Sequence, residues 1–329
     1  MQFVEFHAQS AFSFLAASSH PEELAEVAFE KGLPAIALLD RNGIYGAARL
    51  HFAAQKHGIK AHIGAELAID DVPGIASPVL PLIAATQRGY QNLCQLITTT
   101  KLRAPKNKPT AATFTELRQH AEGLICLTGD ERGVLAAALR AGDMEGGRNM
   151  LQQLISTFGH GNVYVELQRH LDFAEDKRNI AAVTLARQFA LPLLATNGVR
   201  YARSSERQIL DVLLCVKHGC TLHTAGQLLC RNSERYVKSA KEMSALFADL
   251  PEAIANSVAL SSRVAFEIQD LGYEFPSYPV PTGETMMSVL RRRSYEGAKE
   301  RYGTITEEVK QLLEKELQSS ASFALKDIF

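Results

Sequence analysis

The chain has 329 residues, 46% of them hydrophobic, and its 35 basic side chains are matched by 36 acidic ones. That is enough apolar material for one large core or two smaller ones, and a net charge near zero leaves only local basic patches as candidate nucleic-acid surfaces. The 5 cysteines are scattered without a Cys-x-x-Cys pair, which argues for reduced thiols and against a disulfide framework or structural zinc; with no leader-like start and no apolar run of the roughly 20 residues a bilayer demands, a soluble, cytoplasmic protein is expected.

Phe3-Val4-Glu5-Phe6 reads as a short strand and leads into His7, a spacer and Gln9. Side chains alternate along a strand, so His7 and Gln9 leave the same side of the backbone. Two histidines there could grip one metal ion at a barrel mouth; here the second is a glutamine. Ser10 and Ser13 follow, in a loop whose backbone their hydroxyls are expected to bond. A helix then starts at Ser19 or His20, with Pro21 and two acids in its first turn, and ends at Gly32.

The run PAIALL, 34–39, predicts a buried parallel strand. Asp40-Arg41-Asn42-Gly43 turns at its end, a helix covers 44–57, and a strand covers 59–67 with Glu66 near its end. Strand–helix–strand–helix–strand is the pattern of a parallel sheet or barrel. His7, Gln9, Asp40, Arg41 and Glu66 all fall at C-terminal strand ends, where α/β folds place their ligand sites.

Further strands are predicted at 79–84, 123–128, 162–168 and 191–196, with helices at 88–99, 114–120, 134–140, 144–158 and 174–189 and a basic loop at 101–109. Beyond about 203 the periodicity is helical throughout, over 204–217, 241–247, 251–264, 285–301 and 306–318. A proline-rich stretch, 275–281, connects the last two helices to the rest. The arginines 291–293 share their helix with Glu296 and Glu300, which predicts ordinary i,i+4 pairing. His218 and His223 flank Cys220 without the partners a zinc site needs.

The segments HAQSAFSFL, SSHPEELAEVAFEKGLPAIALLDRNGIYGA and GIKAHIGAEL resemble the PHP (polymerase and histidinol phosphatase) domain that opens bacterial DNA polymerase III alpha subunits. RGYQNLCQLIT, GLICLTGDERG, VELQRH and LLATNGVRYA continue the resemblance in the same order. RYVKSAKEMSALFADLPEAIANSVALSSR is similar to the segment past the PHP core, and SYPVPTGETMMSVLRRRSYEGAKERYG to the approach to the palm. FPSYPVPTGET and the LTG loop lean towards the error-prone, translesion branch. The resemblance implies an α/β fold, a distorted (β/α)7 barrel over residues 1–203, and a mainly helical extension over 204–329. It implies a role in DNA replication and translesion repair, with the remaining polymerase (palm and fingers) as partner and DNA met through it. Without the palm aspartates the chain is not expected to polymerise DNA itself.

Working members of that family hold divalent ions in His, Asp and Glu side chains, because metals polarise a phosphoryl oxygen and lower the pKa of bound water. Carried over by motif, the His-x-His becomes His7-Ala8-Gln9, the Leu-Asp-Gly becomes Leu15-Ala16-Ala17, and the Thr-Asp-His becomes Leu39-Asp40-Arg41. The Gly-x-Glu survives as Gly64-Ala65-Glu66, while the Asn-Asp-x-His becomes Asn197-Gly198-Val199-Arg200. The histidine expected near the fourth strand finds Val79, Leu80 and Pro81, and the acid after the LTG loop is Asp130 or Glu131. His7 and Glu66 remain as ligand types, with Asp40 beside them. No cofactor is expected: Arg41 and Arg200 would stand where cations belong, paired with Glu66 and Asp40 or holding a phosphate-type anion. The alternative is a manganese-, zinc- or magnesium-dependent phosphoesterase or 3′–5′ exonuclease using His7, Asp40, Glu66 and the acid near 130.

Overall fold

Apolar runs too short for helices and flanked by turn residues set the framework. In the computed structural model, which describes residues 2–70, 72, 78–103, 105, 108, 110–140, 143–268 and 279–322, they become seven strands. In chain order the elements are β1 (Glu5–Ala8), α1 (Pro21–Glu30), β2 (Ala35–Arg41), α2 (Ala47–His57), β3 (Lys60–Ala68), β4 (Val79–Ala84), α3 (Gln87–Arg103), α4 (Phe114–Gln119) and β5 (Leu124–Leu127). They continue as α5 (Val134–Arg140), α6 (Met144–Phe158), β6 (Val163–Leu167), α7 (Phe173–Gln188), β7 (Leu193–Ala195), α8 (Arg207–His218), α9 (Ala240–Leu246) and α10 (Pro251–Arg263). The chain divides into two compact units, Met1–Asp270 and Leu271–Phe329.

The seven strands form one sheet in sequence order. All neighbours are parallel except around β4, which runs antiparallel to both β3 and β5. The sheet curls until Val199, just past β7, bridges Ala8 in parallel. Val199 N donates to His7 O at 2.8 Å and Gln9 N donates to Val199 O at 2.9 Å. The α/β barrel of seven strands expected from the sequence is therefore present, distorted by one reversed strand.

Two apolar layers hold it. Outward residues of the strands, such as Ile36 and Leu38, pack under α1 and α2 in the larger core. The alternate residues Ala35, Ala37 and Leu39 point inward and meet Phe6, Ile83, Leu127 and Leu194 inside the barrel. That interior also takes Leu260 and Val264, from α10 and its C-cap. Val4 N donates to Ser257 Oγ at 3.1 Å, and Ala265 N to Ala85 O at 2.9 Å. Helix α10 thus stoppers the end of the barrel opposite the C-terminal strand ends, and the first unit runs well past residue 203.

Helix α3 reaches Arg103, into the stretch expected to begin a loop at 101; Arg103 is fixed there by Glu116 and by the Ala111 carbonyl. The second unit contains α11 (Met286–Tyr302) and α12 (Glu307–Ser322). Within it Arg292 pairs with Glu296 at 3.7 Å as the i,i+4 spacing predicts, and Arg291 pairs with Glu314 of α12 at 2.5 Å. Residues 275–278 of the proline-rich stretch and the ALKDIF end lie outside the described residues. Among the described residues no helix is long and apolar enough to cross a membrane.

Candidate functional site

At the C-terminal end of β1 the chain must give up its strand pairing, and His7 turns its ring into the barrel. Its Nδ1 lies 2.7 Å from Glu166 Oε1, with side-chain exposures of 3% and 0%. The same Glu166 oxygen accepts from Gln168 Nε2 at 2.8 Å and Thr196 Oγ1 at 2.5 Å. Burial alone would depress the His7 pKa, but Glu166, helped by Glu66 and Asp130, pushes it up to about 10. The carboxylate thus favours the protonated imidazole, the form that offers no lone pair on either ring nitrogen. Among the described residues Glu166 Oε2 is buried without a hydrogen-bond partner.

Gln9 points to the same side as His7, as alternation predicts, and its Nε2 donates to Glu66 Oε2. Burial raises the Glu66 pKa and Asp130 adds to that, while His7, Arg41 and Arg132 oppose it. The glutamine thus supplies the donor where a histidine would have supplied a lone pair. Arg41 sits opposite Glu66 in the β2–β3 register.

Asp40 is engaged elsewhere. It accepts from Ser10 N at 2.9 Å, Ser10 Oγ at 2.9 Å, Ser13 Oγ at 2.8 Å and Gly46 N at 3.1 Å. Burial raises its pKa and these bonds pull it back. The carboxylate ties the loop after β1 to the loop after β2. This corrects two expectations: the serine hydroxyls serve Asp40 rather than only their own loop backbone, and Asp40 pairs with neither arginine. Ala16, where the family motif has an acid, is buried at 6% exposure.

The ion pairs of Arg200 have other partners than the expected Glu66 and Asp40. Arg200 Nη2 lies 3.5 Å from Asp130 and 3.6 Å from Glu131. Arg235, which no motif suggested, lies closer to Glu131, at 2.6 Å from its Oε2, and stands 3.7 Å from Asp130 Oδ2 and 3.2 Å from Gln168 Oε1. Partial burial would raise the Glu131 pKa, and Arg235 and Arg200 outweigh it and hold the carboxyl well below its usual range. Arg235 is set in place by main chain, since Arg200 N donates to Arg235 O at 2.9 Å. Gly198 adopts φ +54°, and a Cβ there would fall 2.5 Å from Gln168 Oε1 and 2.8 Å from Arg235 Nη1. The space that an aspartate would enter is filled by a guanidinium from a segment more than thirty residues downstream.

Sequence reasoning therefore placed His7, Gln9, Glu66, Gly198, Arg200, Asp130 and Glu131 in one region, and it missed Glu166 and Arg235. Glu166 lies within VELQRH, two residues before the end of the predicted strand 162–168. Arg235 lies in an irregular stretch with no periodicity to read. Among the described residues no group of three or more His, Cys, Asp or Glu side chains is arranged to hold a metal ion. An amide and two guanidinium groups stand among these carboxylates, and a guanidinium offers no lone pair to a metal ion.

A family model for the PHP domain matches residues 5–170. The chain belongs to the PHP domain family. It is 33% identical over 307 residues to an error-prone DNA polymerase of Mycobacterium tuberculosis, covering 92% of this chain and 28% of the relative. It is 32% identical over 350 residues to that of Nocardia farcinica, with 92% and 30% covered. The PHP chain thus spans less than a third of the length of these relatives. Among solved structures, one described as a candidate metal-dependent phosphoesterase from Bifidobacterium adolescentis matches at 14% identity and TM-score 0.39, covering 75% of this chain and 96% of that one. An amidohydrolase from Chromobacterium violaceum with bound sulfate and no metal matches at 15% identity and TM-score 0.40, covering 60% and 87%.

Proposed function

We propose that this chain is the N-terminal, non-catalytic PHP module of an error-prone DNA polymerase, in which the former metal positions have become an internal network of ion pairs and hydrogen bonds. The observation that carries the reading is the placement of Arg235 against Asp130, Glu131 and the bare Gly198. A guanidinium at that spot takes up the carboxylates' charge in fixed geometry, which stiffens the barrel mouth and leaves no open coordination position. The partners are the remainder of the polymerase and, through it, DNA.

The test is metal content after incubation of the purified chain with manganese or zinc and then dialysis, together with hydrolysis of a model phosphodiester. No retained ion and background hydrolysis are expected. A second reading, a metal-dependent phosphoesterase or 3′–5′ exonuclease at the same mouth, draws its support from the buried, partnerless Glu166 Oε2. An ion that survives dialysis, with hydrolysis that a chelator removes, would establish that reading and overturn the first.

A further inference from the structure

The end of α8 brings two thiols together. Cys215 and Cys220 stand five residues apart. Along an unbroken helix that spacing turns two side chains about 140° from each other and separates them by about 7.5 Å of rise. Here Gly219 enters the left-handed region at φ +62° and reverses the chain. Gly219 N donates to Val216 O at 3.4 Å, and Cys220 N donates to Cys215 O at 3.0 Å. These two bonds make the helix ending in which the side chains at the ends of the longer bond meet, a contact usually made by apolar groups and assigned here to two sulfurs. Residues joined through one backbone hydrogen bond hold their Cα atoms about 6 Å apart, within the span a disulfide bridges. Cys215 is buried at 6% exposure and Cys220 is half-buried. Burial and then the Cys220 thiol raise the Cys215 pKa.

The other thiols stand elsewhere. Cys94 is in α3 and Cys126 in β5. Cys230 returns to α8 through its main chain: its N donates to Asp211 Oδ1 at 2.9 Å, and its carbonyl accepts from Arg207 Nη2 at 2.7 Å. The excursion from Gly219 to Cys230 therefore starts and ends on α8, and it carries the exposed Leu222 and Leu228.

We propose that Cys215 and Cys220 are a redox-responsive pair, which a peroxide oxidises to a disulfide that pins the end of α8. The half-buried Cys220 is the sulfur a peroxide reaches. Its thiolate attacks one peroxide oxygen, the O–O bond breaks, and Cys220 becomes a sulfenic acid as the first water leaves. The Cys215 thiolate then attacks the Cys220 sulfur, the S–O bond breaks, and the second water leaves as the S–S bond forms. Two thiols and one hydrogen peroxide thus give one disulfide and two waters, the two electrons passing from sulfur to the peroxide oxygens. The pair shares no residue with the ion-pair network of the mouth, and its chemistry is independent of it.

The test treats the full chain, reduced and then freed of reductant, with hydrogen peroxide, caps the remaining thiols and maps the peptides by mass spectrometry. A Cys215–Cys220 link that dithiothreitol reopens is expected, with Cys94, Cys126 and Cys230 left to be capped. Cys215→Ser should stop at a Cys220 sulfenic acid that dimedone traps, and Cys220→Ser should leave Cys215 unoxidised. Phenylarsine oxide, which clasps two adjacent thiols, should bind the untreated parent and neither serine variant. Circular dichroism checks that the variants fold, and the map of the parent decides the matter without them. In the bridged chain the amides of residues 216–222 should exchange about tenfold more slowly. Both thiols free after peroxide, a bridge from either to Cys230, Cys220 oxidised beyond the sulfenic acid without a bridge, or arsenical binding that ignores both substitutions would overturn the pair. A bridge that leaves exchange unchanged would overturn the pinning of α8.

Discussion

Arg235 Nη1 stands 2.8 Å from the point where Gly198 would carry a Cβ. The two residues divide one space between them, so a side chain at 198 has to displace the guanidinium or Gln168. Gly198→Ala also forces an alanine to φ +54°. Strain and collision together should cost about 2 kcal/mol. Urea unfolding of the variant and the parent checks this; coincident curves would mean that Arg235 is not fixed where it is placed.

Arg235→Ala should be the most damaging change at the mouth. It strips the closest partner from Glu131 and leaves Asp130, 5% exposed in its side chain, without its second cation. Breaking such a partly buried pair costs about 3 kcal/mol. Arg200→Ala should cost less, since its contacts are 3.5 and 3.6 Å long. Melting temperatures ranked the other way would contradict the network as described.

Asp40→Ala should destabilise by about 2 kcal/mol, because Ser10 N and Gly46 N lose their shared acceptor in a buried place. Asp40→Asn keeps one acceptor oxygen and should recover part of the loss. Amide hydrogen exchange over residues 10–16 and 42–46 reads the effect where it arises; protection unchanged in Asp40→Ala would count against the tie between the two loops.

Stability should fall as pH rises from about 4.5 to 10. Burial, only partly offset by hydrogen bonds from the His7 and Asn197 amides, pushes Glu5 up from 4.5 to about 7. The folded state therefore keeps a proton that the unfolded chain releases, and stability is lost across that window. His7 is raised from 6.5 to about 10 despite its burial, by Glu166. Its contribution is complete below 6.5 and fades as pH climbs through the folded value. Glu166 is lowered, since His7 outweighs its burial, so its share is lost only at acid pH. Glu5→Gln should flatten the lower part of the profile. A parent chain that grows more stable between pH 6 and 9 would refute the assignment.

The strands were legible because each is an apolar run bounded by turn residues, and the strand-end positions followed from alternation. The direction of β4 was not, since the apolar run VLPLIA reads the same in a parallel or an antiparallel neighbour. The motif positions at 7, 9, 66, 198 and 200 could be carried over one by one, and they lie near the C-terminal ends of their strands. The partners these side chains take could not be read that way. Asp40 turned to Ser10 and Ser13, which lie in its own end of the barrel, and Arg235 came from an irregular segment fixed by main-chain bonds to Arg200. Such partners arrive through tertiary contacts, and local sequence carries no record of them.

The stopper formed by α10 has a consequence for the order of manufacture. Val4 and Ser257, bonded to each other, are 253 positions apart, so nearly the whole first unit must leave the ribosome before the barrel interior is sealed. Until then Phe6, Leu39 and Leu194 line a shell open at one end. Apolar surface left open in that way is prone to aggregation until α10 is made, and a chain released at residue 203 would lack the helix that closes it.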